Sequence, residues 1–254
     1  MTQRLPFLDH PLPHAFAHRG GGEEAAENTL EAFEHAIGLG YRYLETDVHA
    51  TADGVLVAFH DRTLDRLTGR PGRVADLTAA ELRSVRIDGR YRIPLLADLL
   101  GTWPEARINI DPKTDEAAAL LPEALRRAAA IDRVCVGSFS GRRLARLRRR
   151  LGPGLCTSMG PADVTRLWLA AKGLPAGRFD AACAQVSPTH RGLTIVAPRF
   201  LAAAHRRNLP VHVWTINEAA EMHRLLDLGV DGLMSDRPTL LKRVLRERGQ
   251  WTGG

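Results

Sequence analysis

Side chains that could bind a metal ion and a phosphate follow several short apolar runs of this 254-residue chain. They stand in four motifs: His18-Arg19-Gly20, Glu45-Thr46-Asp47, His60-Asp61 and Asp111-Pro112-Lys113. Because residues two apart on a strand face the same way, Glu45 and Asp47 should project together. Neighbouring carboxylates repel one another unless a cation joins them, and oxygen-only ligation suits Mg²⁺ or Ca²⁺. We therefore predict a divalent-metal site at Glu45, Asp47 and Asp111, with an ion-paired rim as the alternative for the first two.

Two histidines and two cations complete this set. His18 and His60 form a natural proton-transfer pair, because imidazole titrates near neutral pH. Arg19 carries a planar guanidinium that can donate two hydrogen bonds to one phosphate, and Lys113 adds a compact charge in a chain that otherwise prefers arginine. A phosphodiester would use all these parts, since cations offset its charge, one imidazole activates a nucleophile and the other protonates the departing alkoxide.

Three further polar or aromatic positions carry weaker signals. Gln185 is polar within a predicted buried strand and so needs a partner, and we assign it to substrate binding. Trp214, inside the apolar run Val211-Ile216, either walls the same pocket or fills the interior. Asn28 with Glu31 predicts a capping box for the first helix, so Glu27-Asn28-Thr29 is either structural or part of the site.

Apolar runs alternate with amphipathic stretches from end to end. The predicted strands are Ala15-His18, Tyr43-His49, Val55-His60, Arg107-Asp111, Val134-Ser138, Gly154-Ser158, Ala181-Ser187, Val211-Ile216 and Gly232-Ser235. The predicted helices are Leu30-Leu39, Pro94-Leu100, Ala117-Ile131, Gly141-Leu151, Pro161-Ala171, Pro198-Arg207, Ala219-Leu228 and Thr239-Arg248. Such alternation predicts a parallel sheet with helices outside it.

One of these nine strands should not belong to the parallel set. Asp53-Gly54 lies in the short gap before Val55-His60, and Asp-Gly between alternating runs is a hairpin signal, whereas a parallel crossover needs a dozen or more residues. Removing this strand leaves eight. The sequence therefore predicts one TIM barrel domain over residues 1–254 with an insertion at about 51–92. A doubly wound open sheet is the alternative, but it lacks a Gly-x-Gly-x-x-Gly turn after the first strand.

Composition and charge restrict the classes of binding partner that we expect. Hydrophobic residues make up 44% and charged residues 25%, typical of a soluble globular chain, and no apolar run is long enough to span a membrane. The net charge of +6 comes mostly from arginine. Its densest cluster, Arg142 to Arg150, alternates with leucines at helical spacing and predicts a solvated helix face without interleaved aromatic residues. We expect a small-molecule substrate, no nucleic acid and no stable membrane insertion, and leave the oligomeric state open.

The three cysteines and the N-terminal segment indicate the compartment. Cys135, Cys156 and Cys183 are widely spaced and each lies in an apolar stretch, so we predict buried reduced thiols rather than disulfides or a zinc site. Met1 to Pro13 lacks a basic stretch followed by an apolar one, the pattern of a secretory signal. We expect a cytoplasmic protein.

The motifs together resemble the glycerophosphodiester phosphodiesterase family. The resemblance runs from His18 nearly to the end of the chain. Besides the four motifs above, it rests on Glu27-Asn28-Thr29, Asp53-Gly54-Val55-Leu56-Val57-Ala58-Phe59-His60-Asp61, Leu64-Asp65-Arg66-Leu67-Thr68, Ile93-Pro94-Leu95, Ser138-Phe139, Val213-Trp214-Thr215-Ile216-Asn217 and Gly229-Val230-Asp231-Gly232-Leu233-Met234-Ser235-Asp236-Arg237-Pro238. It implies a TIM barrel and metal-dependent hydrolysis of glycerophosphodiesters to glycerol 3-phosphate and an alcohol.

The same resemblance implies roles for single residues and exposes two departures. It makes His18 and His60 the acid-base pair, Glu45 and Asp47 metal ligands, and Arg19 and Lys113 phosphate ligands. Where the family has Glu-x-Lys, this chain has Asp111-Pro112-Lys113, one methylene shorter, and Ala26 replaces the family's proline.

Two other functions stay open. One is cleavage of lysophospholipids by an enzyme similar to sphingomyelinase D, which would need a large apolar entrance. The other is a non-catalytic barrel that binds a phosphate ligand.

Overall fold

The fold is known from a computed structural model that describes residues 5–253. Residues 1–4 and 254 of the predicted domain 1–254 lie outside the described part, and so do the first four residues of the segment Met1 to Pro13. The strands are β1 (His14–Ala17), β2 (Tyr43–Ala50), β3 (Leu56–Ala58), β4 (Arg86–Ile87), β5 (Tyr91–Arg92), β6 (Arg107–Pro112), β7 (Val134–Val136), β8 (Cys156–Thr157), β9 (Ala184–Val186), β10 (Thr189–His190), β11 (Leu193–Thr194), β12 (Val211–Val213) and β13 (Gly232–Ser235). The helices are α1 (Leu30–Gly38), α2 (Asp65–Thr68), α3 (Ala79–Leu82), α4 (Leu96–Thr102), α5 (Asp115–Arg127), α6 (Gly141–Leu151), α7 (Pro161–Ala170), α8 (Pro198–His205), α9 (Ala219–Leu228) and α10 (Pro238–Glu247).

Eight of these strands form a parallel sheet that closes on itself. Their order is β8-β7-β6-β2-β1-β13-β12-β9, and each neighbouring pair is parallel. A parallel bridge between Ser158 and Cys183 joins the two ends. The amide of Met159 donates to the Cys183 carbonyl at 2.9 Å across this seam. The predicted TIM barrel is confirmed.

The ninth predicted strand pairs differently, as the short Asp53-Gly54 connection requires. β3 is antiparallel to β2, with Val48 opposite Ala58 and Ala50 opposite Leu56. The chain between β2 and α4 also holds α2, α3 and the β4-β5 hairpin, and it encloses a separate apolar cluster that includes Phe59 and Leu64. The β4-β5 hairpin was not predicted, although its turn contains Asp88-Gly89, a second Asp-Gly pair with positive φ at both residues.

The outer helices bury apolar faces against the barrel. On the arginine-rich α6, Leu144 and Leu147 are buried while four of the six arginines are exposed, as the leucine spacing predicts. The other two, Arg143 and Arg148, are partly buried and donate hydrogen bonds to the Pro112 carbonyl and to Thr157 Oγ1. Among residues 5–253, no helix is long and apolar enough to cross a membrane.

A tight turn at the end of β1 places the first two site residues. Arg19, Gly20 and Gly21 all have positive φ, which L side chains rarely adopt. A Cβ on Gly20 would lie 2.8 Å from the Ala32 Cβ and 2.9 Å from the Ala32 carbonyl carbon. Only glycine lets this turn approach α1 so closely.

We expect Gly20→Ala to lower the free energy of unfolding by about 2–4 kcal/mol, because it adds backbone strain to overpacking. Gly38→Ala is the matched control, since its Cβ would have no neighbour within 4 Å and helical Gly→Ala stabilises by up to about 1 kcal/mol. Urea unfolding of both variants checks this, and equal midpoints would contradict the argument.

Candidate active site

A cleft of about 550 Å³ opens at the carboxyl ends of the barrel strands. The structure brings every predicted site residue to its lining: His18, Arg19, Glu45, Asp47, His60, Asp111, Lys113, Gln185 and Trp214. Most of them come from the carboxyl ends of parallel strands, which meet at one mouth. His60 follows the antiparallel β3, which folds back along β2 and returns this histidine to the same mouth. The roles assigned to them stay predictions.

Lys113 lies between two of the predicted metal ligands. Its Nζ is 2.6 Å from Asp47 Oδ1 and 2.8 Å from Asp111 Oδ2. Burial lowers the pKa of Lys113, but the two carboxylates outweigh burial and raise it above the usual range. Burial raises the pKa of Asp47, yet Lys113 and Arg19 outweigh that effect and leave it lowered. Lys113 and Asp47 are therefore both charged at neutral pH.

The negative charge of Glu45 is less well compensated than that of Asp47. Its Oε2 accepts a hydrogen bond of 3.1 Å from the Arg19 amide and lies 3.7 Å from His18 Nε2. Burial and the nearby charge of Asp47 raise the pKa of Glu45 to about 7. Burial also raises the pKa of Asp111. Two of the three carboxyls are thus held in surroundings that disfavour their ionised form, and a bound cation would relieve this.

His18 is held by a carboxylate that was not among the predicted site residues. Asp236 Oδ1 accepts a hydrogen bond of 2.6 Å from His18 Nδ1. Asn217 fixes Asp236 in turn, because its Nδ2 donates to Asp236 Oδ2 at 2.9 Å and its Oδ1 accepts from the Asp236 amide at 2.9 Å. Burial lowers the pKa of His18, but Glu45 and Asp236 outweigh it and raise that pKa. The sequence did contain a signal for Asp236. It directly follows the last barrel strand, and residues at that position of a TIM barrel lie at the mouth.

His60 is held in the same way from a different part of the chain. It lies two residues after β3, and its Nδ1 donates to Asp61 Oδ1 at 2.6 Å. Arg66, whose Nε is 2.6 Å from Asp61 Oδ2, lowers the pKa of Asp61 to about 2. Each histidine therefore has Nδ1 on a carboxylate, which leaves Nε2 for chemistry.

A chain of ion pairs joins the two histidine regions. Glu27 Oε1 accepts from Arg19 Nη1 at 3.1 Å and from Arg66 Nη2 at 2.8 Å. Arg66 also binds Asp61, so the network reaches from the barrel to the insertion. Arg19 Nε lies 3.1 Å from Asp47 Oδ2, but it is buried and has no hydrogen-bond partner among the described residues. Arg19 Nε is therefore compensated by the charge of Asp47 and not by a hydrogen bond of good geometry.

The predicted capping box at Asn28 and Glu31 is wrong. Thr29 is the N-cap of α1, since its Oγ1 accepts from the Ala32 amide at 3.1 Å. Asn28 is instead fully buried with positive φ, and its Nδ2 donates to Asp47 Oδ2 at 3.2 Å. Glu27-Asn28-Thr29 is therefore part of the site's support.

The far side of the cleft is mostly apolar. Gln185 finds the partner that its burial requires, because its Nε2 donates to Asn109 Oδ1 at 2.9 Å. Trp214 packs edge-to-face on Phe139 with ring centroids 5.8 Å apart, so it walls the cleft. The apolar lining continues through Met159, Val164, Trp168, Leu193 and Ile195.

We expect Asp236→Asn to lower the pKa of His18, because it removes a negative charge that favours the imidazolium. NMR titration of the His18 ring measures this. Asp132→Asn is the control, since Asp132 is exposed in the turn before β7 and should leave the titration unchanged. An unaltered His18 pKa in Asp236→Asn would show that this carboxylate does not tune the ring.

Comparison with known proteins agrees with this geometry. The sequence model of the Glycerophosphoryl diester phosphodiesterase family matches residues 18–240. A Mycobacterium tuberculosis protein named "Probable glycerophosphodiester phosphodiesterase 2" is 38% identical over 256 residues, covering 98% of this chain and 97% of that protein. "Lysophospholipase D GDPD1" of Rattus norvegicus is 28% identical over 272 residues, covering 92% of this chain and 86% of that protein.

A solved structure shares the fold. The crystal structure of glycerophosphodiester phosphodiesterase from Agrobacterium tumefaciens matches with a TM-score of 0.76 at 25% identity, covering 92% of this chain and 100% of that one. Family, relatives and fold point to one class of reaction. The chain therefore belongs to the glycerophosphoryl diester phosphodiesterase family and is a phosphoric diester hydrolase.

Proposed function

We propose that this protein hydrolyses glycerophosphodiesters to glycerol 3-phosphate and an alcohol, using Mg²⁺ or Ca²⁺. The observation that carries the proposal is the pair of carboxylate-held histidines, His18 and His60, which line one cleft with three carboxylates and two cations. The family membership and the names of the relatives support the same substrate class.

The donor set suits a hard divalent cation. Glu45, Asp47 and Asp111 offer only oxygen, which Mg²⁺ and Ca²⁺ prefer. Burial, and after it the charge of Asp47, raises the pKa of Glu45 to about 7, and a bound cation would favour its ionised form. Lys113 now bridges Asp47 and Asp111, so an ion held by all three carboxylates needs that ammonium to release at least one of them. When bound, the ion supplies positive charge to the phosphate oxygens.

The protein's own residues would divide the remaining work. Arg19 and Lys113 hold the phosphate and offset its charge. One imidazole removes a proton from the nucleophile that attacks phosphorus, and the other gives a proton to the alkoxide as the bond between phosphorus and the alcohol oxygen breaks. Water is consumed overall, with its oxygen retained on phosphorus. Asp236 and Asp61 keep the Nε2 atoms turned to the cleft.

Release of glycerol 3-phosphate from glycerophosphocholine tests the proposal. We expect turnover with Mg²⁺ or Ca²⁺ and its loss with a chelator. His18→Ala and His60→Ala should each lower kcat by about 10²–10⁴-fold, since each removes an acid or a base, while metal binding measured by calorimetry is retained. His223→Ala, on the outer helix α9, is the control. No product with any divalent ion would contradict the proposed function, and full activity of either alanine variant would exclude that histidine.

The apolar side of the cleft favours a second substrate class, lysophospholipids. Phe139 and Leu193 line this side and are 70% and 54% exposed, which is unusual for large apolar residues. One acyl chain laid along them would cover apolar surface that the phosphate-binding side does not use. A relative carries the name lysophospholipase D.

Leu193→Ser should lower kcat/KM for lysophosphatidylcholine by roughly 10-fold, because a buried leucine contact contributes about 1.5–3 kcal/mol. It should leave kcat/KM for glycerophosphocholine nearly unchanged. Leu174→Ser is the matched control, because Leu174 is similarly exposed at 52% but lies outside the cleft. Equal losses on both substrates would remove Leu193 from acyl recognition.

A further inference from the structure

Three cysteines that are far apart in the sequence meet inside the barrel. Cys135 is on β7, Cys156 on β8, and Cys183 just before β9; all three are buried free thiols. Their Sγ atoms all lie within 4.8 Å of one another, and those of Cys135 and Cys183 are 3.9 Å apart. Within residues 5–253, no other group of three His, Cys, Asp or Glu side chains comes together so closely. The predicted buried, free thiols are confirmed. Their convergence was not predicted, and it reopens the zinc site that their wide spacing in the sequence had argued against.

The thiol cluster lies one layer below the floor of the cleft. Residues two apart on a strand face the same side, and each thiol precedes a cleft-lining residue by two positions. These cleft-lining residues are Gly137, Ser158 and Gln185. On β12, His212 likewise precedes the cleft-lining Trp214. The barrel therefore aims three sulfurs and one imidazole into a common interior layer that the proposed hydrolysis does not use.

The hydrogen bonds of His212 prepare one ring nitrogen as a ligand. The carbonyl of His10 can only accept, so His14 Nε2, 3.2 Å away, carries a proton. With one proton on each ring, His14 Nδ1 accepts from His212 Nε2 at 3.2 Å. In that tautomer His212 Nδ1 carries a lone pair. It is buried and makes no hydrogen bond of ordinary geometry in the described part of the chain, and the Cys183 thiol lies beside the same ring. Metal-bound histidines commonly have their second nitrogen fixed in this way.

The imidazole lies next to one of the sulfurs, that of Cys183. Cys135 and Cys156 lower the pKa of the Cys183 thiol most, burial opposes them, and His212 lowers it further. Gln185 Nε2 lies 4.0 Å from Cys135 Sγ and can donate to a thiolate there. Side chains that served only to fill the core would gain nothing from a buried imidazole nitrogen without a good hydrogen bond, because burying such a polar atom costs free energy.

We propose that Cys135, Cys156 and Cys183 bind one Zn²⁺ ion, and that His212 completes a tetrahedral Cys₃His site by moving toward it. Its ring lies beside Cys183 but not within 4.8 Å of all three sulfurs. A Zn–S bond of about 2.3 Å requires sulfurs about 3.8 Å apart in a tetrahedron, close to the 3.9 Å between Cys135 and Cys183. Binding releases three thiol protons and leaves a net charge of −1 on the site. Soft thiolate ligands separate this ion from the oxygen-ligated metal of the cleft, which Mg²⁺ or Ca²⁺ fills.

Cobalt(II) reports this site directly, because tetrahedral thiolate coordination gives visible d–d bands and near-ultraviolet sulfur-to-cobalt charge transfer. In the first arm, the full chain is reduced, freed of metal and titrated with Co²⁺. In the second arm, the chain is refolded in the presence of Co²⁺, so that the ion can enter before the barrel closes. We expect one equivalent to bind, one equivalent of Zn²⁺ to displace it, and excess Mg²⁺ to leave the bands unchanged.

Substitutions test whether the cobalt bands arise from these residues. Cys183→Ala should abolish the charge-transfer band, and His212→Asn should weaken Co²⁺ binding at least 10-fold. Glu45→Gln, in the cleft, and His205→Asn, on α8, are controls that keep it. Cys156→Ser replaces Cys183→Ala if the latter does not fold by circular dichroism. A folded wild-type chain without the band in either arm, or a band that survives the cysteine substitution, would overturn the proposal. Either result leaves the hydrolysis assay unaffected, so the two proposals fail separately.

Discussion

The burial of Asp47 is the constraint around which the mouth of the barrel is organised. Its carboxylate is only 2% exposed, and an ionised carboxylate in such a place needs compensation that water cannot give. Lys113 lies 2.6 Å from Oδ1, and Arg19 and Asn28 approach Oδ2 at 3.1 and 3.2 Å. Arg19 and Asn28 reach it from backbone positions with positive φ. Local backbone strain is thus accepted to keep one charge in place.

That compensation also determines how His60, one of the two histidines, is held. Arg19 continues through Glu27 to Arg66, and Arg66 holds the Asp61 that orients His60. The insertion therefore docks on the barrel through charge as well as through the pairing of β3 with β2. On the other side, Asn217 and Asp236 hold His18. His60 depends on the insertion and His18 on the residue after the last barrel strand, so the cleft is complete only when the insertion and the C-terminal part of the barrel have both folded.

The sequence predicts what is periodic and local. All nine strands of the barrel sheet were located, because strand-helix alternation and the Asp53-Gly54 turn are short-range signals, and the parallel strands then end at one mouth. The small hairpins β4-β5 and β10-β11 were not predicted. Asp236 received no role because its partner His18 is 218 residues away and the contact exists only after the barrel closes. Asn28 was misread because a local cap is the simpler use of an asparagine, while its real partner lies on β2. The thiol cluster stayed hidden for the same reason as Asp236, since no spacing within one strand brings three cysteines together.

The barrel interior changes its chemistry within one two-residue step. At the mouth, carboxylates and cations balance one another, and the next layer holds sulfur, imidazole and aromatic rings in a cluster with Phe16 and Tyr43. Gln185 stands at the boundary, since its amide donates to Asn109 above and lies 4.0 Å from Cys135 below. A charged group in this lower layer would lack the compensation that Asp47 receives, and thiols and imidazoles are suited to the position because they can remain neutral until a soft cation makes their deprotonation favourable. The alternation of side chains along each strand thus lets one set of eight strands carry an oxygen-rich site and a sulfur-rich layer, two donor sets that prefer different classes of ion.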